Sequence, residues 1–260
     1  MAYLRYVAIG DSTTEGLEDP YPDGSGYRGW ADRLAERLAL ASPGLLYANL
    51  AVRGKLARQV HDEQLAAALA LEPDLATVVA GLNDTLRPRC DLDATAGHLE
   101  AMIAALRAQG ATVATMTFPD PVQVNPLARV ARARVVAYNE RVREIGHRHG
   151  ALVVDFERDG AGDRRLWHSD RLHANAEGHA RMAEAFADTI GLEDAGSRWA
   201  QPLPPAPAPR VLTAVIANAV WAVKHLAPWV MRRIRGVSSG DGLPPKRPVL
   251  ELVRPEGVER

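Results

Sequence analysis

The sequence predicts a doubly wound α/β fold, a central five-stranded parallel sheet between two layers of helices, with a helical extension at the C-terminus. Two observations carry the α/β prediction. Five short apolar runs recur along the chain, Leu4–Ile9, Leu45–Leu50, Leu75–Ala80, Thr112–Thr117 and Ala151–Phe156. They are continuous rather than alternating, as strands buried on both faces are. Between them lie stretches whose apolar residues recur every three or four positions, so strand and helix alternate and the strands run parallel. Loops at the carboxyl ends of such strands form the site of a doubly wound fold.

Taken in order, the first run delivers Gly10-Asp11-Ser12-Thr13, and a helix through Trp30, Leu34 and Leu38 follows. The second leads into Asn49-Leu50-Ala51-Val52-Arg53-Gly54, and the third into Gly81-Leu82-Asn83-Asp84. Leu92, Ala96, Leu99, Ile103 and Leu106 then line one helical face, and Gly110 stands where a left-handed C-terminal cap is wanted. After the fourth strand, Ala131, Val135, Tyr138, Val142 and Ile145 repeat the spacing and Gly150 ends it. A last helix, 175–190, sets Ala176, Ala180, Ala183, Ala187 and Ile190 on one side.

Beyond Leu192 the character changes. The proline-rich stretch 201–209 has little scope for helix or sheet. From Arg210 to Arg235 a helix is expected, with Leu212, Ile216, Ala219, Val223, Leu226, Val230 and Ile234 on one face and Pro228 kinking or breaking it. The remainder, from Gly236, reads as irregular. The division expected is an α/β domain at 1–195, a linker at 196–210 and an amphipathic basic extension at 211–260. From Arg210 onward nine Lys and Arg stand against four Asp and Glu, so the extension carries +5 and the rest of the chain −6. Its apolar stripe is expected to dock on the α/β domain or on another subunit. Peripheral membrane contact through Arg210–Arg235 is the alternative, since Lys224, His225 and Pro228 interrupt any span.

The net charge of −1 asks for no polyanionic partner, and no nucleic acid is expected. Cys90, the single cysteine, can form no internal disulfide and no cysteine zinc site. The N-terminal segment has no secretory leader pattern, and Leu4–Ile9 is needed as a strand, so a cytoplasmic location is expected. No P-loop pattern occurs, and nucleotide binding gains no support. Asp19, Asp23, Asp159 and Asp163 do not follow an EF-hand loop. No metal or cofactor is expected.

Ser12 follows a strand, and Asp170-Arg171-Leu172-His173 places a carboxylate three residues before a histidine. A serine hydroxyl becomes a nucleophile when a base lies within hydrogen-bond reach and the base is itself oriented. Ser12, His173 and Asp170 supply those three parts. The four blocks around Ser12, Gly54, Asn83 and His173, in that order, resemble those of the SGNH (GDSL-type) hydrolases, with GDST here in place of GDSL. The resemblance implies a flavodoxin-like strand order of 2-1-3-4-5 and a serine esterase or lipase acting on a small-molecule or lipid ester. It also implies an oxyanion hole made by the Ser12 N–H, the Gly54 N–H and the Asn83 amide.

Each residue also has a bland role. Ser12 can cap a helix, Gly54 and Asn83 can serve turns, and Asp11 and Asp84 can brace their loops. His168 and His179 flank the candidate base, but neither stands in the DxxH relation. Tyr27, in a loop rich in glycine, proline and aromatics, and Asp120 and Asn125, after the fourth strand, are the expected substrate contacts. Trp30 belongs either to the pocket wall or to the core. An acyltransferase of the same fold and a catalytically silent binding module are the alternative functions.

Overall fold

The computed structural model describes residues 2–157, 161–192, 196, 198–206 and 211–254. Asp159, Arg210 and the last six residues of the expected tail lie outside the described residues, as does the side chain of Ile234. In chain order the elements that place the site are β1 (Arg5–Gly10), the turn α1 (Ser12–Glu15), α2 (Gly29–Ala41), β2 (Leu46–Asn49) and α3 (Ala57–Ala70). Then come β3 (Leu75–Val79), the turn α4 (Leu82–Thr85), α5 (Leu92–Ala108), β4 (Thr112–Met116), α6 (Pro121–Val124), α7 (Arg132–His149), β5 (Leu152–Val154) and α8 (Ala176–Thr189).

The first five strands are parallel in the order 2-1-3-4-5, the order the resemblance implies. The sheet is one of the buried kind, with Tyr6, Val7, Ala8 and Ile9 fully covered. Helix α2 packs on α8 across one face, and α3, α5 and α7 pack in series across the other. Trp30 is a core residue, stacked on Phe186 with ring centroids 4.2 Å apart. Pairing of Ala8 with Asn49 and of Gly10 with Val79 brings the carboxyl ends of β1, β2 and β3 level. The loops that carry Ser12, Gly54 and Asn83 therefore emerge side by side.

The C-terminal extension departs from expectation twice. Arg247–Leu252 is not irregular: it forms β6, antiparallel on the open edge of β2, and the sheet has six strands. As an edge strand with most residues exposed, and with Pro248 inside it, β6 has no continuous apolar run to read. A buried carboxylate seats it. Asp32, 3% exposed, accepts hydrogen bonds from the hydroxyls of Tyr21 and Tyr47, each at 2.8 Å. The Lys246 ammonium lies 2.8 Å from the same carboxylate and also donates to the carbonyls of Tyr27 and Arg28.

The second departure concerns the helical arm. It consists of α9 (Val211–Trp221), one π turn (Ala222–Leu226) and α10 (Ala227–Ile234). The π turn stands just before Pro228, where its wider backbone relieves the clash of the proline ring with the carbonyl four residues back. The arm packs on the α/β domain through the face opposite the aliphatic stripe. Trp221 is buried on the docked side, while Leu212 is 71%, Ile216 55% and Val223 74% exposed. Polar partners decide the orientation. The Trp221 indole donates to the Asp170 carbonyl at 2.7 Å and lies under the Arg171 guanidinium, whose Nη1 donates to Asn218 at 2.8 Å.

Candidate active site

Ser12 stands in the first turn after β1, where Asp11 caps the backbone by accepting the Thr13 N–H at 3.0 Å. Gly10 permits the tight exit from the strand: a Cβ there would lie 2.4 Å from the Val79 carbonyl. Gln64 clamps the same point, accepting the Gly10 N–H and donating to the Gly10 carbonyl, both at 2.9 Å. The structure thus fixes the strand end with a side chain that sequence reading did not single out.

Asp170 and His173 share one tight loop, closed by Arg171 at φ 59°. One Asp170 oxygen accepts the N–H groups of Leu172 and His173, at 3.0 and 3.1 Å, and so holds the loop. The other lies 2.6 Å from His173 Nδ1. Burial works against the carboxylate charge, but the hydrogen bond and the charge of His173, with the two backbone donors, outweigh it. The carboxyl is held well below its ordinary range. An ionised carboxylate only accepts, so Nδ1 carries the proton, and in the neutral imidazole Nε2 then presents its lone pair. That lone pair faces Ser12 Oγ at 2.9 Å. Ser12, His173 and Asp170 thus form one hydrogen-bonded chain.

Asn83 opens from α4 toward the same point, its Nδ2 donating to Asp11 Oδ2 and to the Lys55 carbonyl, each at 3.1 Å. Asp11 is therefore more than a cap: it holds the plane of the Asn83 amide. Its burial pushes its pKa from 3.8 up to about 6, despite the Thr13 backbone donor and the charge of His173. Gly54 sits at φ +75°, and a Cβ there would lie 2.2 Å from Ser238 Oγ of the C-terminal segment. Its loop is held by Arg53, which is ion-paired to Glu15 and lies over the Tyr27 ring.

These groups line a cavity of about 480 Å³ whose walls are mostly apolar, with Leu17, Leu82, Leu86, Phe118 and Val124 among them. The arm closes it with Trp221, Lys224, His225, Trp229 and Arg232, and Ser238 and Ser239 follow. Of the expected substrate contacts, Asn125 lines the cavity, where its side chain also caps Leu127. Tyr27 and Asp120 do not line it. Tyr27 is held beneath Arg53, and Asp120 caps α6 through Val122 and pairs with Arg132 at 2.7 Å. The cavity residues from the arm were out of sequence's reach, because only tertiary packing brings them near Ser12.

His179 is a core residue. Its Nδ1 accepts from the Trp30 N–H at 3.2 Å and its Nε2 donates to the Leu17 carbonyl at 2.9 Å. Burial depresses its pKa to about 4, so it is neutral. His168 faces Glu18 and Asp170 at 3.5 and 3.7 Å, whereas Ser12 Oγ is bonded by His173. Among the described residues, ligand atoms of Glu18, Asp170 and His173 converge within 4.8 Å. The hydrogen bonds just described already commit two of the three.

Residues 8–181 match the model of the GDSL-like lipase/acylhydrolase family. No curated protein matches the sequence significantly. Among solved structures, the chain is similar to LAE5, an alpha/beta hydrolase from the metagenome of Lake Arreo, Spain, at 26% identity and a TM-score of 0.59. That match covers 72% of this chain and 95% of the other. A catalytic mutant of Axe2, an acetylxylan esterase from Geobacillus stearothermophilus, matches at 22% identity and a TM-score of 0.61, over 73% and 95% of the two chains. The psychrotrophic esterase EstA from Pseudoalteromonas, inhibited by monoethylphosphonate, matches at 21% and 0.56, over 72% and 96%. The last two likenesses speak to the fold alone. No helix among the described residues is long and apolar enough to cross a membrane.

Proposed function

The chain belongs to the GDSL-like lipase/acylhydrolase family and is an ester-bond hydrolase, and from that premise we propose that it cleaves a carboxylic ester through an acyl-Ser12 intermediate. The observation that carries the reading is the chain Ser12 Oγ, His173 Nε2 at 2.9 Å, and His173 Nδ1, Asp170 at 2.6 Å. Ser12 Oγ attacks the ester carbonyl as its proton passes to Nε2. Asp170, ionised, stabilises the imidazolium. The oxyanion is met by the N–H groups of Ser12 and Gly54 and by the Asn83 amide. One Nδ2 proton leaves the Lys55 carbonyl for the oxyanion while the other stays on Asp11, which keeps the amide aimed. The imidazolium then protonates the leaving alcohol, and water, activated by the same base, releases the acid. Residues 1–195 carry this chemistry, and the extension covers the cavity.

The apolar walls support an ester with a hydrocarbon portion. The test is labelling with a fluorophosphonate probe, with peptide mapping, on the wild type and on Ser12→Ala, followed by hydrolysis of p-nitrophenyl esters of increasing chain length. Labelling confined to Ser12, absent from Ser12→Ala, is expected, with kcat/KM rising from acetyl to longer acyl groups. Equal turnover by Ser12→Ala ends the proposal. A preference for acetyl over every longer acyl group rejects the apolar-substrate part.

A further inference from the structure

We propose that the outward face of the α9–α10 arm is a docking surface for an anionic lipid interface, with the arm lying in the membrane plane above the acyl cavity. The proposal rests on the ester-hydrolase reading for its purpose, but the binding it describes does not depend on catalysis. Leu212, Val215, Ile216, Val220 and Val223 recur at helical spacing on one side of α9 and its continuation, each more than half exposed. A row of aliphatic side chains on one face of a helix is the pattern of an amphipathic helix with its partner missing. The catalytic unit is not that partner, since it holds the arm by the opposite face, through Trp221, Asn218 and the Ala217 carbonyl.

The charges choose the occupant. Residues 211–235 contain no Asp or Glu, and Lys224, Arg232 and Arg235 are exposed, the first two also lining the cavity. A second copy docked on the same arm would bring two acid-free, cationic arms together, as an isologous contact must. An anionic lipid surface instead receives the aliphatic row and attracts the positively charged arm, a cation that reaches such a surface being worth about 1 kcal/mol. The arm is also continuous with the substrate site. Its inner side supplies Trp221, Lys224, Trp229 and Arg232 to the cavity of about 480 Å³. The same helix therefore has one side over Ser12 and the other turned outward. Because no described helix can span a bilayer, the contact is interfacial.

The experiment is co-sedimentation of the full-length protein with vesicles of phosphatidylcholine alone or with one third phosphatidylglycerol. It is run at low and high salt, on the wild type and on Leu212→Glu/Ile216→Glu/Val220→Glu. None of the three residues lines the cavity, so turnover of soluble p-nitrophenyl acetate reports that each protein is folded. Wild type is expected to partition onto the anionic vesicles about tenfold more than onto neutral ones, to weaken with salt, and to lose about tenfold or more in the triple variant. Should the triple variant misfold, Ile216→Glu and Val220→Glu singly decide the question, each expected to weaken partitioning several-fold.

Absence of wild-type binding to anionic vesicles overturns the proposal, as does undiminished binding by folded glutamate variants. A salt-resistant dimer that the glutamates dissociate, without vesicle binding, assigns the face to a second copy and equally overturns it. Vesicle binding without ester turnover rejects the hydrolase reading and leaves the docking surface standing; turnover without vesicle binding does the reverse.

Discussion

Asp11→Asn is expected to gain stability relative to the wild type as pH rises from 4 to 8, and to be less active at neutral pH. Asp11 is fully buried beside Ser12, and its pKa lies at about 6 against 3.8 for an ordinary aspartate. A carboxyl with a raised folded pKa binds protons more tightly in the native state than in the unfolded one. Native stability from this group is therefore intact below pH 4 and falls as pH rises toward 6 and above. The full difference is about 3 kcal/mol, most of which appears between pH 4 and pH 8. Asparagine does not titrate, so the unfolding free energy of Asp11→Asn minus that of wild type should grow by about 2 kcal/mol across that interval. Any fixed effect of the substitution, such as a weaker cap on Thr13, cancels between the two pH values. Urea unfolding at pH 4, 6 and 8 measures it. The activity readout is separate. The amide group introduced by Asp11→Asn sets a donor against the Asn83 Nδ2 donor, so Asn83 turns away and kcat falls by up to about 10²-fold, as for a weakened oxyanion donor. A difference in stability that stays flat with pH refutes the linkage; an unchanged kcat refutes the positioning of Asn83.

Three further outcomes are expected. Asp170→Asn can present an N–H to His173 Nδ1, which moves the imidazole proton to Nε2 and removes the acceptor for Ser12, so kcat should drop about 10⁴-fold with little change in fold by circular dichroism. His179, with a pKa depressed by burial to about 4 from 6.5, lends stability that is complete above pH 6.5 and lost as pH falls toward 4. An NMR titration should find its imidazole unprotonated at pH 5, and protonation there would contradict the burial argument. Lys246→Ala leaves the Asp32 carboxylate buried with two tyrosine hydroxyls and Arg247 at 3.5 Å, and should destabilise the protein by about 3 kcal/mol in urea unfolding.

The five parallel strands could be read from the sequence because burial on both faces forces each into an unbroken apolar run, a property of local composition. The Asp170–His173 pair was equally legible, since three residues of chain can be closed by a single turn. Edge strand β6 was not, because a mostly exposed strand has no such composition, and its seat on Asp32 joins residues more than two hundred positions apart. Nor was the facing of the arm: periodicity finds the two faces of a helix but not which one meets the protein. Here Trp221 and Arg171, through bonds to Asn218 and the Asp170 carbonyl, turned the aliphatic face outward. The meeting of Ser12 with His173 across 161 residues, the Gln64 clamp on Gly10 and the hold of Asp11 on Asn83 were likewise decided by the tertiary structure. Sequence determines such contacts only through the whole fold, because a hydrogen bond needs its partners within about 3 Å, and only the packed sheet brings distant loop ends that close.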